Sequence, residues 1–285
     1  MFEYLKMLVI SFVSGAFAAL PVSSSAHYAF LNSVLHFSSD ADTLGFYYSI
    51  ISVVFSLVVF VFLRKLYLKS IASFFRSGKG GGSDKHSQYK SIAVNLFLSL
   101  LPAVILFLPV SKTTFLFDVF ARYFTDDHLM VTSFCCIASG VILTVAVWYS
   151  RKRSDKTRRS SKASGVVRFG IYQLPAYIFP GFSHISSGAA ALTVSDVDDV
   201  VIAREVLLYL APSTFTVGVV RLVRYILAGV TLDPVMILIC AVGGLISSAV
   251  VVKAIGKIGA KRLYSFACVY SILFGLFIFL ATFYV

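Results

Sequence analysis

Five stretches of this chain, roughly 44–63, 92–110, 129–149, 233–252 and 264–284, are each apolar for long enough to cross a lipid bilayer. A spanning helix takes about 20 mainly apolar residues. A sixth stretch, roughly 206–227, has the length but carries Arg221 and Arg224 near its end, where long basic side chains could snorkel to the interface. No water satisfies backbone groups in a bilayer core, so runs of this length predict helices. Composition agrees: 13% of residues are charged and 58% hydrophobic, whereas a soluble domain has about 25% and 45–50%. The expectation is an all-α polytopic membrane protein with about six transmembrane helices, residues 1–285 forming a single membrane domain.

The formal charge of +12 could suggest a nucleic-acid partner. The basic residues instead crowd into short segments between apolar runs, which is the pattern of membrane orientation and anionic headgroup contact. The 64–90 loop carries Arg64, Lys65, Lys69, Arg76, Lys79, Lys85 and Lys90. The 150–168 loop carries eight more, from Arg151 to Arg168, and the last loop has Lys253, Lys257, Lys261 and Arg262. These three are expected to be cytoplasmic, and the loops holding Asp40, Asp118 and Asp233 to face outward. The run Lys79-Gly80-Gly81-Gly82-Ser83 lacks the Gly-Lys-Ser/Thr ending of a phosphate loop and reads as a flexible linker. Cys135, Cys136, Cys240 and Cys268 lie inside apolar runs without metal or disulfide spacing and read as packing residues. The amino-terminal stretch lacks the basic lead of a cleaved signal and is expected to be mature structure.

Two further apolar regions are too short to span. Residues 7–20 stop at Pro21 and a serine cluster before a second piece, 28–37; residues 165–179 stop at Pro180 and another serine cluster before 189–195. Each reads as a re-entrant helical hairpin, a backbone break tolerated at membrane depth only inside protein or a watery cavity. A hairpin followed by three spans then occurs twice. The halves are approximately 1–149 and 165–285, joined by a basic cytoplasmic linker, 150–164. An odd number of spans between the hairpins makes the repeat inverted, an architecture that places binding sites near the midplane.

Both breaks carry the same chemistry. Ser23, Ser24, Ser25 and His27 follow Pro21; Ser183, His184, Ser186 and Ser187 follow Pro180. Backbone N–H groups and hydroxyls at a helix start can hold an anion. Serines after a proline are equally ordinary helix caps, whereas a histidine at membrane depth points to function. Ser14, Gly15, Ala18 and Ala19 are most simply a close helix-packing face.

The string Leu20-Pro21-Val22-Ser23-Ser24-Ser25-Ala26-His27 resembles the Leu-Pro-Val-Ser-Ser-Thr-Gly-His signature of undecaprenyl-diphosphate phosphatases, the BacA/UppP bacitracin-resistance family. Pro180-Gly181-Phe182-Ser183-His184 looks like that family's Pro-Gly-x-Ser-Arg-Ser motif, and Leu210-Ala211-Pro212 also matches. The resemblance implies two inverted repeats in the bacterial cytoplasmic membrane. It also implies hydrolysis of undecaprenyl diphosphate, usually with a divalent cation such as Mg or Ca, in recycling the carrier lipid of peptidoglycan synthesis. By that resemblance His27 or Ser24 would be the catalytic nucleophile, and Ser23, Ser25, Ser183, His184 and Ser186 would bind phosphate.

The chain departs from the pattern. Ser14 and Ala18 stand where the family has two glutamates, His184 where it has arginine, Ile185 where it has serine, and Gly188 where it has threonine. A divalent cation in phosphoryl transfer is usually held by one or two carboxylates, and no metal ligand set is legible here. Two readings follow: a divergent polyprenyl-diphosphate phosphatase, or a non-catalytic binder or flippase-like translocator of polyprenyl phosphate. A second copy of the chain, as a homo-oligomer, is left open as a partner.

Overall fold

The computed structural model describes residues 2–38, 40–75, 84–111, 115–116, 129–152, 161–194, 199–230, 233–255 and 260–284. The linker run 79–83, most of the basic segment 150–164, and Asp118, Asp196 and Asp198 lie outside the described residues. Among the described residues every element is a helix. In chain order these are α1 (Phe2–Ala18), α2 (Ser24–Leu35), α3 (Ala41–Phe62), α4 (Arg64–Phe75), α5 (Asp84–Ser99), α6 (Leu101–Leu106), α7 (Leu129–Lys152), α8 (Ala163–Ile178), α9 (His184–Thr193), α10 (Asp199–Leu227), α11 (Pro234–Ile255) and α12 (Ala260–Ala281). Among the described residues, six stretches are long and apolar enough to cross a membrane: Ala41–Phe62, Ser87–Leu106, Leu129–Lys152, Val201–Leu227, Pro234–Ile255 and Arg262–Ala281.

The ends of these elements follow local chemistry. Asp40 caps α3 by accepting the Thr43 N–H at 3.0 Å. The second span begins and ends earlier than the apolar run suggests. It is interrupted at Leu100 because Pro102, in the first turn of α6, cannot donate to the preceding turn. Helix α10 starts ahead of the expected 206 and so draws Glu205 into a span. Its internal Pro212 leaves the Leu208 carbonyl without a helical donor, and the Tyr67 hydroxyl donates to it instead at 2.7 Å. Helix α4 occupies part of what reads in the sequence as a loop. Leu68, Ile71 and Phe75 recur at helical spacing and stay exposed, beside Arg64, Lys65 and Lys69.

Exposed side chains are mainly apolar, as with Leu238, Val250 and Leu273, while Ser11, Ser14, Ser139, Ser247 and Ser248 are buried. That reversal suits a protein solvated by lipid, where helices associate through small residues and hydroxyl hydrogen bonds. Helices α3 and α10 pack antiparallel, Gly45 against Tyr225 and Phe60 against Phe215. So do α7 and α12, with Gly140 against Ile272 and Phe134 against Phe279. Three further pairs of contacts match between the halves: α1 with α11 and α8 with α5, α3 with α11 and α10 with α5, α1 with α2 and α8 with α9.

The α1–α11 contact is close because Gly15 has no side chain, and Ser248 Oγ donates to its carbonyl at 2.9 Å. A Cβ at Gly15 would lie 2.5 Å from Ser247 Oγ and 2.8 Å from the Gly244 backbone. Gly15→Val is expected to cost about 2–3 kcal/mol, read as an earlier midpoint in denaturing-detergent unfolding. An unchanged midpoint would mean that the two helices do not approach this closely.

Candidate functional site

The site is assembled where the two proline breaks meet. Each break ends in a serine with extended backbone that caps the next helix. Ser23 Oγ accepts the Ala26 N–H and Ser183 Oγ accepts the Ser186 N–H, both at 3.1 Å. The caps also join the breaks to each other. Ser183 Oγ donates to the Val22 carbonyl at 2.9 Å, Ser186 Oγ donates to the Pro21 carbonyl, and the Gly181 N–H donates to Ser25 Oγ at 3.0 Å. Ser25 Oγ is in turn 3.1 Å from Ser23 Oγ, and Ser139 Oγ of α7 accepts the Ser183 N–H. The serines of the two motifs thus lie together, but Ser23, Ser25, Ser183 and Ser186 hold backbone to backbone.

Ser24 turns elsewhere. Its hydroxyl lies 2.8 Å from the Tyr48 hydroxyl of α3, and both line a cavity shared with Ala18, Ser52, His184 and Thr214. The cavity volume is about 20 Å³, enough for a single water. His184 is oriented by Gln173 of α8, whose amide Nε2 donates to the His184 carbonyl at 2.6 Å while Oε1 accepts from Nδ1 at 2.9 Å. That pairing leaves Nε2 of His184 as an acceptor. A Cβ at Gly188 would lie 2.4 Å from Phe169 and 2.9 Å from Gln173 Nε2. The space of the family's threonine side chain is therefore filled by Phe169 and by Gln173, which positions His184.

Arg221 supplies positive charge that the sequence reading assigned to the interface. It follows Thr214 by two turns on the same face of α10, and its Nη2 donates to the Tyr177 carbonyl at 3.0 Å. Tyr48, Tyr177 and His184 all lie within its electrostatic reach. Tyr177 packs its ring 4.4 Å from that of His184 and donates its hydroxyl to Ser213 Oγ at 2.8 Å. Arg224, one turn further, sits over the Phe115 ring at 5.1 Å. The signal available in the sequence was an arginine inside an apolar span, which is costly there and marks a site by default.

His27 is placed apart from this cavity. Its ring is stacked between Phe17 and Phe274, with centroids at 3.7 and 4.0 Å, and it is 4% exposed. Nδ1 donates to the Ser23 carbonyl at 2.6 Å, so Nε2 accepts the Tyr270 hydroxyl at 2.8 Å. Both nitrogens are engaged, and the ring joins α2 to α12.

The cavity offers no carboxylate among its described lining residues. Ala18 reaches it as a methyl group, and Ser14 is fully buried one turn away with no hydrogen-bond partner for its hydroxyl among the described residues. No group of three or more His, Cys, Asp or Glu side chains that could hold a metal ion occurs among the described residues. The donors here are hydroxyls and an imidazole, which do not fit a hard divalent cation that wants carboxylate oxygen. Glu205, 1% exposed, is engaged elsewhere, accepting from the N–H and hydroxyl of Ser161.

A polytopic helical membrane protein with an internal cavity bearing several hydroxyls, beside a half-buried arginine, is the class these features define. The family model for the bacitracin resistance protein BacA matches residues 7–277, and the chain belongs to that family. The chain is 25% identical over 188 residues to the undecaprenyl-diphosphatase of Koribacter versatilis (strain Ellin345), a match covering 66% of this chain and 62% of that protein. It is 26% identical over 222 residues to the undecaprenyl-diphosphatase of Clavibacter michiganensis subsp. michiganensis (strain NCPPB 382), covering 78% and 76%. The chain spans less than two thirds of the Koribacter protein in that match.

Proposed function

We propose that this protein binds the phosphate end of a polyprenyl phosphate or diphosphate in a bacterial cytoplasmic membrane without hydrolysing it. The observation that carries this reading is Ala18, a methyl group facing Ser24 and His184 where the family places a carboxylate. Phosphoryl transfer depends on positioning and on neutralising the charge of the transferred group. The groups for holding an anion remain. Ser24 and Tyr48 offer hydroxyl protons, Arg221 offers fixed charge, and the capped starts of α2 and α9 add their helix dipoles. The apolar tail would lie among the lipid-exposed helix faces. A cavity of about 20 Å³ is smaller than a phosphate group, so binding requires α3, α10 and the breaks to part.

The antiparallel pairing of α3 with α10 and of α7 with α12, and the three matched pairs of contacts among α1, α2, α3, α5, α8, α9, α10 and α11, support the inverted-repeat reading. In it α1–α2 and α8–α9 are re-entrant hairpins. That architecture suits translocation of the lipid as well as its capture. The competing reading, a working phosphatase, is favoured by the family and by the activity named for both relatives.

Phosphate release from undecaprenyl diphosphate by the purified protein separates the two. The expected result is release no faster than a protein-free control with Mg²⁺, with Ca²⁺ and with chelator, while the lipid still binds. Metal-dependent release that disappears in Ser24→Ala would overturn the proposal. His27→Ala is expected to lower stability by about 3 kcal/mol through loss of its stack. Affinity in the folded fraction should change by less than about threefold, roughly 0.65 kcal/mol. A much larger loss of affinity would return His27 to the site.

A further inference from the structure

A second cavity, of about 610 Å³, opens at the end of α3 far from the proline breaks. It is lined by Phe62, Arg64, Lys65, Lys69, Tyr89 and Arg204, with no acidic side chain among its described lining residues. Eleven residues separate Ser52 in the first cavity from Leu63 here, about 16 Å along a helix. Lys69 Nζ stands 5.8 Å from the Tyr89 ring centroid, so one wall is both aromatic and cationic.

The four cations come from two elements: Arg64, Lys65 and Lys69 from α4, which begins immediately after α3, and Arg204 from the early turns of α10. Like charges converge on one concavity, and an anion neutralises their mutual repulsion. The depth of the cavity is set by α4, a 12-residue helix too short to span. Leu68 and Phe75, 65% and 75% exposed, lie on it beside the basic residues. An amphipathic helix of that kind lies in the interface, its apolar side chains at the acyl boundary and its cations among the headgroups. Basic pockets between membrane helices at that level take phosphate headgroups.

We infer that this cavity is a binding site for the phosphate headgroup of an anionic lipid, separate from the Ser24–Arg221 site and independent of whether that site hydrolyses its ligand. Arg204 and Lys69, on different helices, clasp the headgroup from two sides. The acyl chains run along the exposed face of α4.

The test measures binding of fluorescent phosphatidic acid and fluorescent phosphatidylcholine to the detergent-purified protein. Wild type is expected to prefer phosphatidic acid. Lys69→Glu combined with Arg204→Glu should weaken that binding by about 20-fold, and the corresponding pair of glutamines by less. Both variants should retain wild-type circular dichroism, and Arg221→Ala should leave this binding unchanged. If reversal disturbs the fold, the glutamine pair decides alone, since loss of preference in a folded protein supports the site. Equal binding of the two lipids, or binding sensitive to Arg221→Ala and indifferent to the α4–α10 pair, would overturn the inference. Displacement of phosphatidic acid by an equal concentration of inorganic phosphate would also overturn it, because the occupant would then be a soluble anion.

Discussion

Replacing Arg221 with alanine is expected to weaken binding of polyprenyl phosphate by about 10–100-fold, the equivalent of a charge-assisted hydrogen bond of about 1.5–3 kcal/mol. The reason is the poverty of other charge in the site. His184 is tied through Nδ1 to Gln173, and the remaining groups around the cavity are hydroxyls and apolar side chains. Arg221 Nη2 also donates to the Tyr177 carbonyl, so the alanine variant loses a link between α10 and α8 as well. Arg221→Lys separates the two effects. It retains the charge and loses the planar fork, so its affinity should fall between wild type and alanine. Titration of polyprenyl phosphate into the detergent-solubilised protein, with unfolding followed in parallel, checks this. Affinity unchanged in Arg221→Ala would remove Arg221 from the site and leave hydroxyls alone to hold the anion.

Gly181→Ala is expected to be the most disruptive single change at the junction of the breaks. Gly181 has φ +98°, a conformation that L side chains rarely adopt, and a Cβ there would lie 2.2 Å from the Thr132 carbonyl oxygen. Strain of about 1–3 kcal/mol adds to a clash with backbone that cannot swing aside. The hydrogen bond from the Gly181 N–H to Ser25 Oγ would be lost with it. A total cost of about 4 kcal/mol or more places this among the exceptional substitutions. The loss should appear both as a lowered unfolding midpoint and as loss of lipid binding, since the same junction positions Ser24. Gly229 is the control: it has φ +80° but nothing within 4 Å of a Cβ, so Gly229→Ala should cost only about 1–2 kcal/mol. Equal effects at the two glycines would mean that Gly181 does not pack against Thr132 of α7 as described.

The spans were legible because the bilayer leaves few alternatives. An apolar run of the right length must satisfy its backbone internally, and the expected spans differ from the observed ones chiefly at their ends. Those ends moved for reasons of proline and capping: Pro102 divides the second span, and α10 begins early enough to include Glu205. Helix α4 was hidden because 12 residues rich in arginine and lysine resemble a loop in composition, although its apolar residues keep helical spacing. Ser23 and Ser183 were legible as caps from their place after a proline, and both cap the helix that follows.

What the sequence determined by itself was the helical membrane class, the two interrupted segments and the clustering of hydroxyls beside them. These depend on local composition and on the chain's own backbone. Only the tertiary structure decided which hydroxyl serves the cavity. Ser24 and His27, three residues apart on a helix of 3.6 residues per turn, point about 60° apart, and the seating of α2 against α3 and α12 sends Ser24 to Tyr48 and His27 to Tyr270. Tyr270 is 243 residues from His27, and Arg221, whose side chain the sequence let snorkel to the interface, donates to the Tyr177 carbonyl 44 residues away. Partners that far apart in the chain are chosen by how the helices pack, which hydropathy does not encode.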